Sequence, residues 1–175
     1  MKIKVRRRTR AVVAGFLFIV VASLFLVRLP FLVVAGQENN SVLYLPLVVN
    51  KTFSLYYVHS VHKTPVWENF SLGSGDQLVL TSTIYQSLGV GIPFLPGEGR
   101  LVNDRGRFML TGLDRRFSEI NLQVTSIAGQ AVIYRDKKYD LNRYFASGDL
   151  IRIRVIRYRL GSFLWQKFAH EGGTA

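Results

Sequence analysis

Phe53-Ser54-Leu55-Tyr56-Tyr57-Val58-His59-Ser60-Val61 is the stretch on which the fold turns. Its residues alternate. Phe53, Leu55, Tyr57, His59 and Val61 share one side of an extended chain, and Ser54, Tyr56, Val58 and Ser60 share the other. Aromatic and β-branched residues at period two indicate a half-buried strand rather than a helix. Lys63-Thr64-Pro65 then turns the chain into Val66–Phe70, so the two runs read as a hairpin.

The same texture extends in both directions. Phe31–Val34 and Val42–Leu45 flank Glu38-Asn39-Asn40, which suits a turn. Ser71 to Gly75 is a second turn and leads into Leu78–Ile84. Residues 87–99 hold four glycines and two prolines and read as loop. Arg107–Leu110, Ile120–Thr125, Ala131–Tyr134 and Leu150–Tyr158 complete a series of about nine short strands. With no convincing helix among them, the pattern predicts an all-β domain, an antiparallel β-sandwich or a partly open barrel. About 145 residues after the N-terminal segment are enough for one core.

The N-terminus is of another kind. Residues 11–27 form 17 consecutive uncharged positions, interrupted only by Gly15 and Ser23 in a run of Ala, Val, Leu, Ile and Phe. As a helix they span about 26 Å against a hydrocarbon core of ~30 Å. Arg10 and Arg28 bracket the run and can snorkel to the two head-group layers. Six basic residues precede it and no acidic residue appears before Glu38. The positive-inside bias then keeps residues 1–10 in the cytoplasm, makes 11–28 a single-pass transmembrane anchor and exports 29–160 as the all-β domain. Residues 161–175 form an aromatic, mildly basic tail. A secretory signal peptide has the same order of parts, with Val33 and Ala35 at the cleavage positions, and that alternative stays open. Both readings place the domain outside the cytoplasm, at the cell membrane if the anchor is kept.

The formal net charge of +12 is concentrated at this end, since seven of the 23 basic residues lie in the first 28 positions. The remainder is only mildly basic, so no nucleic-acid partner is expected. Without cysteine there is no disulfide framework, thiolate metal site or cysteine nucleophile. No Gly-x-Ser-x-Gly elbow occurs, and His59 and Ser60, adjacent on a strand, diverge to opposite faces. His59-x-x-His62 with Glu68 is too sparse to specify a metal site. Hence no catalytic residue, metal ligand or cofactor is expected.

Three features remain as candidate sites. In the proposed hairpin His59 and Glu68 come close to cross-strand register, as a structural clasp or as a proton-carrying pair. Gly89-Val90-Gly91-Ile92-Pro93 is a tight turn or the lip of a small-solute site. Arg152, Arg154, Arg157 and Arg159 form a basic stripe whose phase slips at Val155-Ile156, as a bulge would cause. The stripe suits acidic lipid, an acidic partner or a solvated strand edge. Asn39, Asn50 and Asn69 stand in Asn-x-Ser/Thr sequons, which matter only in a glycosylating host.

Phe53 with Tyr57-x-His59-Ser60-Val61-x-Lys63-Thr64-Pro65-Val66-x-Glu68-x-Phe70, followed by Tyr85-x-Ser87-x-Gly89-x-Gly91-x-Pro93, Gly106-x-Phe108 and Thr111-Gly112, resembles the domain-of-unknown-function family numbered eighteen-fifty. The resemblance runs over about residues 29–160. It marks His59, Ser60, Thr64, Pro65, Glu68, Gly89, Gly91 and Pro93 as family-motif positions and candidate binding residues. Members are small prokaryotic proteins with an N-terminal membrane segment, commonly encoded beside TAXI-type tripartite (TRAP) solute transporters. The resemblance implies an accessory or interaction domain working with transporter subunits or their solute-binding protein. A domain that binds a small anionic solute is the first alternative, and an exported enzyme of unknown chemistry is the second.

Overall fold

The computed structural model describes residues 2–37, 42–86 and 99–162, with side chains along the first helix described from Val12 onward, Leu24 apart. Two compact units are distinguished: Met1–Leu29 with Arg157–Ala175, and Pro30–Ile156.

In the first unit, helix α1 runs over Lys2–Leu26. Its apolar side chains are exposed on every side, Val12, Phe16, Phe18, Ile19 and Leu26 among them. A helix with one core-facing stripe would bury three or four positions in every two turns. Ser23 sends its hydroxyl back to the Val20 carbonyl at 2.6 Å, and Val27 N–H donates to Ser23 O at 2.9 Å, closing the last turn. Among the described residues no helix is long and apolar enough to cross a membrane.

The second unit holds eleven strands, the first starting at residue 28 and the last ending at 159, in two antiparallel sheets. They are β1 (Arg28–Gly36), β2 (Val42–Pro46), β3 (Thr52–Val58), β4 (Pro65–Leu72), β5 (Leu78–Tyr85), β6 (Arg100–Asp104), β7 (Arg107–Phe117), β8 (Ile120–Gln123), β9 (Ala131–Tyr134), β10 (Lys137–Asp140) and β11 (Leu150–Arg159). The smaller sheet has the order β2-β1-β11-β8 and the larger β10-β9-β3-β4-β5-β7-β6. Among the described residues neither closes into a barrel. Leu32 and Val34 of β1, Leu43 and Leu45 of β2 and Ile151 and Ile153 of β11 join Phe53, Leu55, Val66, Phe70, Leu110 and Val132 of the larger sheet in one buried cluster. The Tyr134 hydroxyl of β9 donates to the Pro46 carbonyl of β2, a polar tie from one sheet to the other.

All nine expected strands are present. Phe31 to Val34 are buried without alternation, so both faces of β1 are covered, and Leu32 and Val34 are the two that join the core cluster. Two further strands, β6 and β10, carry mostly charged or polar residues and occupy the two edges of the larger sheet. Edges tolerate charge because one side has no strand to match, so the apolar alternation is missing there. Each joins its neighbour through a two-residue turn with both central φ values positive, Arg105-Gly106 and Arg135-Asp136. That geometry matches the twist of a hairpin. Asn103 Oδ1 accepts from Gly106 N–H at 3.1 Å and fixes the first of these turns.

Candidate functional site

The β3–β4 hairpin exists as expected, in the register Phe53↔Phe70, Leu55↔Glu68, Tyr57↔Val66 and Val58↔Pro65. That register overturns the proximity drawn between His59 and Glu68. Glu68 faces Leu55, four residues back along β3 from His59. At about 3.3 Å per residue the two sit about 13 Å apart along the strand. His59 belongs to the turn: its N–H donates to Thr64 O at 2.9 Å, and its carbonyl accepts from Lys63 N–H at 2.9 Å. Its Nδ1 accepts from the N–H groups of Val61 at 3.3 Å and His62 at 3.4 Å. The imidazole therefore caps the turn as an Asx side chain would, with the His62 ring 5.3 Å away. Lys63 supplies the positive φ of 52° that turns the chain back. Ser60 is exposed beside it, Thr64 is half-buried and Pro65 opens β4. Four of the motif positions thus shape one turn.

Glu68 has a different partner. The Tyr57 hydroxyl donates to Glu68 Oε1 at 3.2 Å, diagonally across the hairpin on its inward face. Burial raises the Glu68 pKa above its ordinary 4.5, against the smaller lowering pulls of the Tyr57 hydrogen bond and the Arg115 charge. The Tyr57 phenol is also pushed up, first by burial and then by the neighbouring carboxylate. Both residues line a cavity of about 240 Å³ together with Leu55, Tyr56, Ile120, Leu122, Gln130, Ala131 and Leu141. Its walls come from β3, β4 and β9 of the larger sheet and β8 of the smaller one. Gln130 is engaged at both ends, accepting from Thr125 N–H at 2.8 Å and donating to Gln123 O at 3.0 Å. It holds the rim, and the polar pair inside the cavity is Tyr57 with Glu68. The partner of Glu68 is thus Tyr57 and not the expected His59. The opposite-face grouping of Tyr57 and Tyr56 held the clue, since Tyr57 is the inward aromatic nearest the acid.

The outward face of the same sheet carries a row that alternation within single strands does not reveal. Tyr56 of β3 stands across from Trp67 of β4, Trp67 from Ile84 of β5, Ile84 from Met109 of β7, and Met109 from Val102 of β6. Five adjacent strands at about 4.8 Å spacing make an apolar band about 19 Å long. The Tyr56 and Trp67 rings meet at 5.4 Å, and Lys138 Nζ lies 4.2 Å from the Tyr56 centroid. Tyr56, Trp67 and Ile84 are half-buried, while Met109 and Val102 are exposed. The parallel row beside it is polar: Ser54 Oγ donates to Asn69 Oδ1 at 2.6 Å, and Asn69 Nδ2 donates to Ser82 Oγ at 2.9 Å. Strand alternation shows which residues of one strand share a face. Only the register shows that five strands contribute to one band.

The arginines are divided. Arg152 pairs with Glu119 at 3.2 Å and is half-buried. Arg154, Arg157 and Arg159 are exposed, and the slip at Val155-Ile156 is present as two consecutive half-buried residues. The strand that carries them is interior, between β1 and β8, which removes the reading of the stripe as a protective edge over Leu150–Ile153. Among the described residues no arginine lines the cavity around Glu68. Gly89, Gly91 and Pro93 lie outside the described residues. Among the described residues no group of His, Asp and Glu is arranged to hold a metal ion.

Comparison with known families gives a match to the Domain of unknown function (DUF1850) over residues 53–141. The chain belongs to this family. The matched span starts at the first inward residue of β3 and ends at Leu141, so it contains nearly all of the larger sheet, β8 and every residue named in the cavity wall. The DUF1850 match therefore covers both the Tyr57–Glu68 cavity and the outward apolar row. No curated protein and no solved structure matches the chain.

Proposed function

We propose that this DUF1850 protein is a membrane-anchored extracytoplasmic accessory domain. Its α1 helix is held in the cell membrane with the basic end in the cytoplasm, and the two sheets pack outside as a sandwich. The observation that carries the proposal is the exposure of large apolar side chains on all sides of α1, Val12, Phe16, Phe18, Ile19 and Leu26. Such a surface is unfavourable in water at about 25 cal/mol per Å² and is at rest in lipid. The charge order supports the orientation, with six basic residues before the apolar run and Arg28 after it. An anchor raises the effective concentration of the domain beside a membrane partner without any further contact. The Tyr56–Trp67–Ile84–Met109–Val102 row is the surface we assign to that partner. The partner class is a subunit of a TAXI-type tripartite transporter, as the family resemblance suggests.

A reporter fused after Ala175 tests the orientation and is expected to be active only outside the cytoplasm. The protein is expected to stay in the membrane fraction through washing in 1 M salt, where the Debye length is about 3 Å and purely ionic attachment is screened. Ile19→Asp is expected to release it. Activity of the fusion in the cytoplasm, or extraction by salt alone, refutes the anchor. Capture of transporter subunits from native membranes, lost in Trp67→Ala, tests the partner.

A further inference from the structure

We propose that the cavity between the two sheets, floored by Glu68 and Tyr57, is a binding site for a small organic cation: an amine carried on a compact apolar body. This inference is independent of the anchor and of the transporter partner.

Three observations converge on it. The wall is apolar, with Leu55 of β3, Ile120 and Leu122 of β8 and Leu141 beyond β10, so it accepts a hydrocarbon body. Its volume of about 240 Å³ is below the range for drug-sized ligands, so the body must be compact. The polar groups converge at one place, Tyr57 Oη against Glu68 Oε1 at 3.2 Å, so the ligand has one end to be recognised. A carboxylate accepts hydrogen bonds and donates none, and ammonium is its charge-assisted complement. The Tyr57 ring beside it adds a face for the cation.

The electrostatics agree with the geometry. The charged or titratable groups acting on Glu68 are Tyr57 from β3 and Arg115 from β7, and their combined pull is outweighed by burial. An arriving ammonium adds a counter-charge inside the cavity to that of Arg115, which acts on Glu68 without being part of the wall. Thr83, its neighbour on β5, and Ile120 and Leu122 opposite contribute none. An anion would meet the acid with no basic residue among the described residues of the wall. Gln130 cannot serve as the recognition group without giving up its bonds to Thr125 and Gln123.

The test uses the full chain in neutral detergent and three probes of one shape: phenethylamine, 2-phenylethanol and 3-phenylpropionate. Calorimetric titration is expected to show saturable binding of phenethylamine, at least about tenfold tighter than either of the others. Glu68→Gln is expected to remove that preference while leaving the weak binding of 2-phenylethanol in place. Leu122→Phe, which fills the wall from the smaller sheet, is expected to weaken all three probes, and serves on its own if Glu68→Gln does not fold. Equal binding of the alcohol and the amine, preference for the carboxylate, or no saturable phenethylamine binding up to about 10 mM each overturns the proposal.

Discussion

The two faces of the larger sheet are made from the same strands and differ in nearly every physical respect. On the inward face of β3 and β4, Phe53, Leu55, Val66 and Phe70 are buried, with the Phe53 and Phe70 rings stacked at 5.2 Å. On the outward face, one residue away in each case, Tyr56 and Trp67 are half-buried and next to a polar Ser54–Asn69–Ser82 ladder. A large aromatic is therefore not informative by itself. Its phase along the strand decides whether it supplies core or surface, and the register decides whether surface aromatics are scattered or aligned. The inward face also holds the exception, an acid among apolar side chains, and that is where the cavity lies.

The sharpest way to break this comparison is to truncate one aromatic on each face. Phe70→Ala removes a fully packed ring and is expected to cost about 3–5 kcal/mol, enough to unfold much of the population of a marginal domain. Trp67→Ala removes a side chain of greater bulk whose cross-strand contact with Tyr56 is partly solvated, and its expected cost is about 1 kcal/mol. Urea denaturation of the two variants measures both. If Trp67→Ala proves as costly as Phe70→Ala, the outward row is a second core and not a docking face.

A smaller effect separates the acid's true partner from the expected one. Tyr57→Phe and Glu68→Leu each remove the same hydrogen bond, so the double variant is expected to lose less than the sum of the singles by about 1 kcal/mol. His59→Gln and Glu68→Gln are expected to add, because His59 bonds within the turn to Val61 and His62. Non-additivity in the second cycle would restore a His59–Glu68 contact and contradict the observed register.

How much of this could be read from the chain follows from which constraints are local. Alternation and short apolar runs are both local, so β3 and β4 are legible in Phe53 to Val61 and Val66 to Phe70, and β1, β2 and β5 in Phe31–Val34, Val42–Leu45 and Leu78–Ile84. Edge strands break alternation with charge, and Arg100–Asp104 and Lys137–Asp140 are hidden for that reason, although Arg105-Gly106 after Asn103-Asp104 is a turn signature. The hairpin itself is legible, but its register depends on where the turn closes. Reading the turn at Lys63-Thr64-Pro65 and letting β3 continue to Val61 placed His59 on the strand. The structure ends β3 at Val58 and uses His59 in the turn, which moves the partner of Glu68 from His59 to Tyr57. Alternation puts Tyr57 on one face with Phe53 and Leu55. What the sequence lacks is the diagonal contact across β3 and β4, and the β8 wall that desolvates the acid from the other sheet.

The smallest effect concerns the inward acid alone and is read against pH. Burial raises the Glu68 pKa in the folded protein above the ordinary 4.5 that it takes when unfolded. Below 4.5 the carboxyl is protonated in both states and folding carries no penalty from its charge. As pH rises past 4.5 the unfolded state ionises first, so it binds fewer protons than the folded state and folding stability falls. The loss grows until pH passes the raised folded value and is constant above it. Glu68→Gln has no such group and keeps an amide oxygen for the Tyr57 hydroxyl. Other titrating groups contribute equally to both proteins and cancel in the difference. The melting temperature of the wild type minus that of Glu68→Gln is therefore expected to be highest near pH 4, to fall through the window above 4.5, and to level off towards neutrality. Binding of an amine should shrink that fall in the wild type alone, because the counter-charge favours the ionised acid in the folded state. Parallel melting curves across this range would mean that Glu68 reaches water freely and that the inward face holds no desolvated acid.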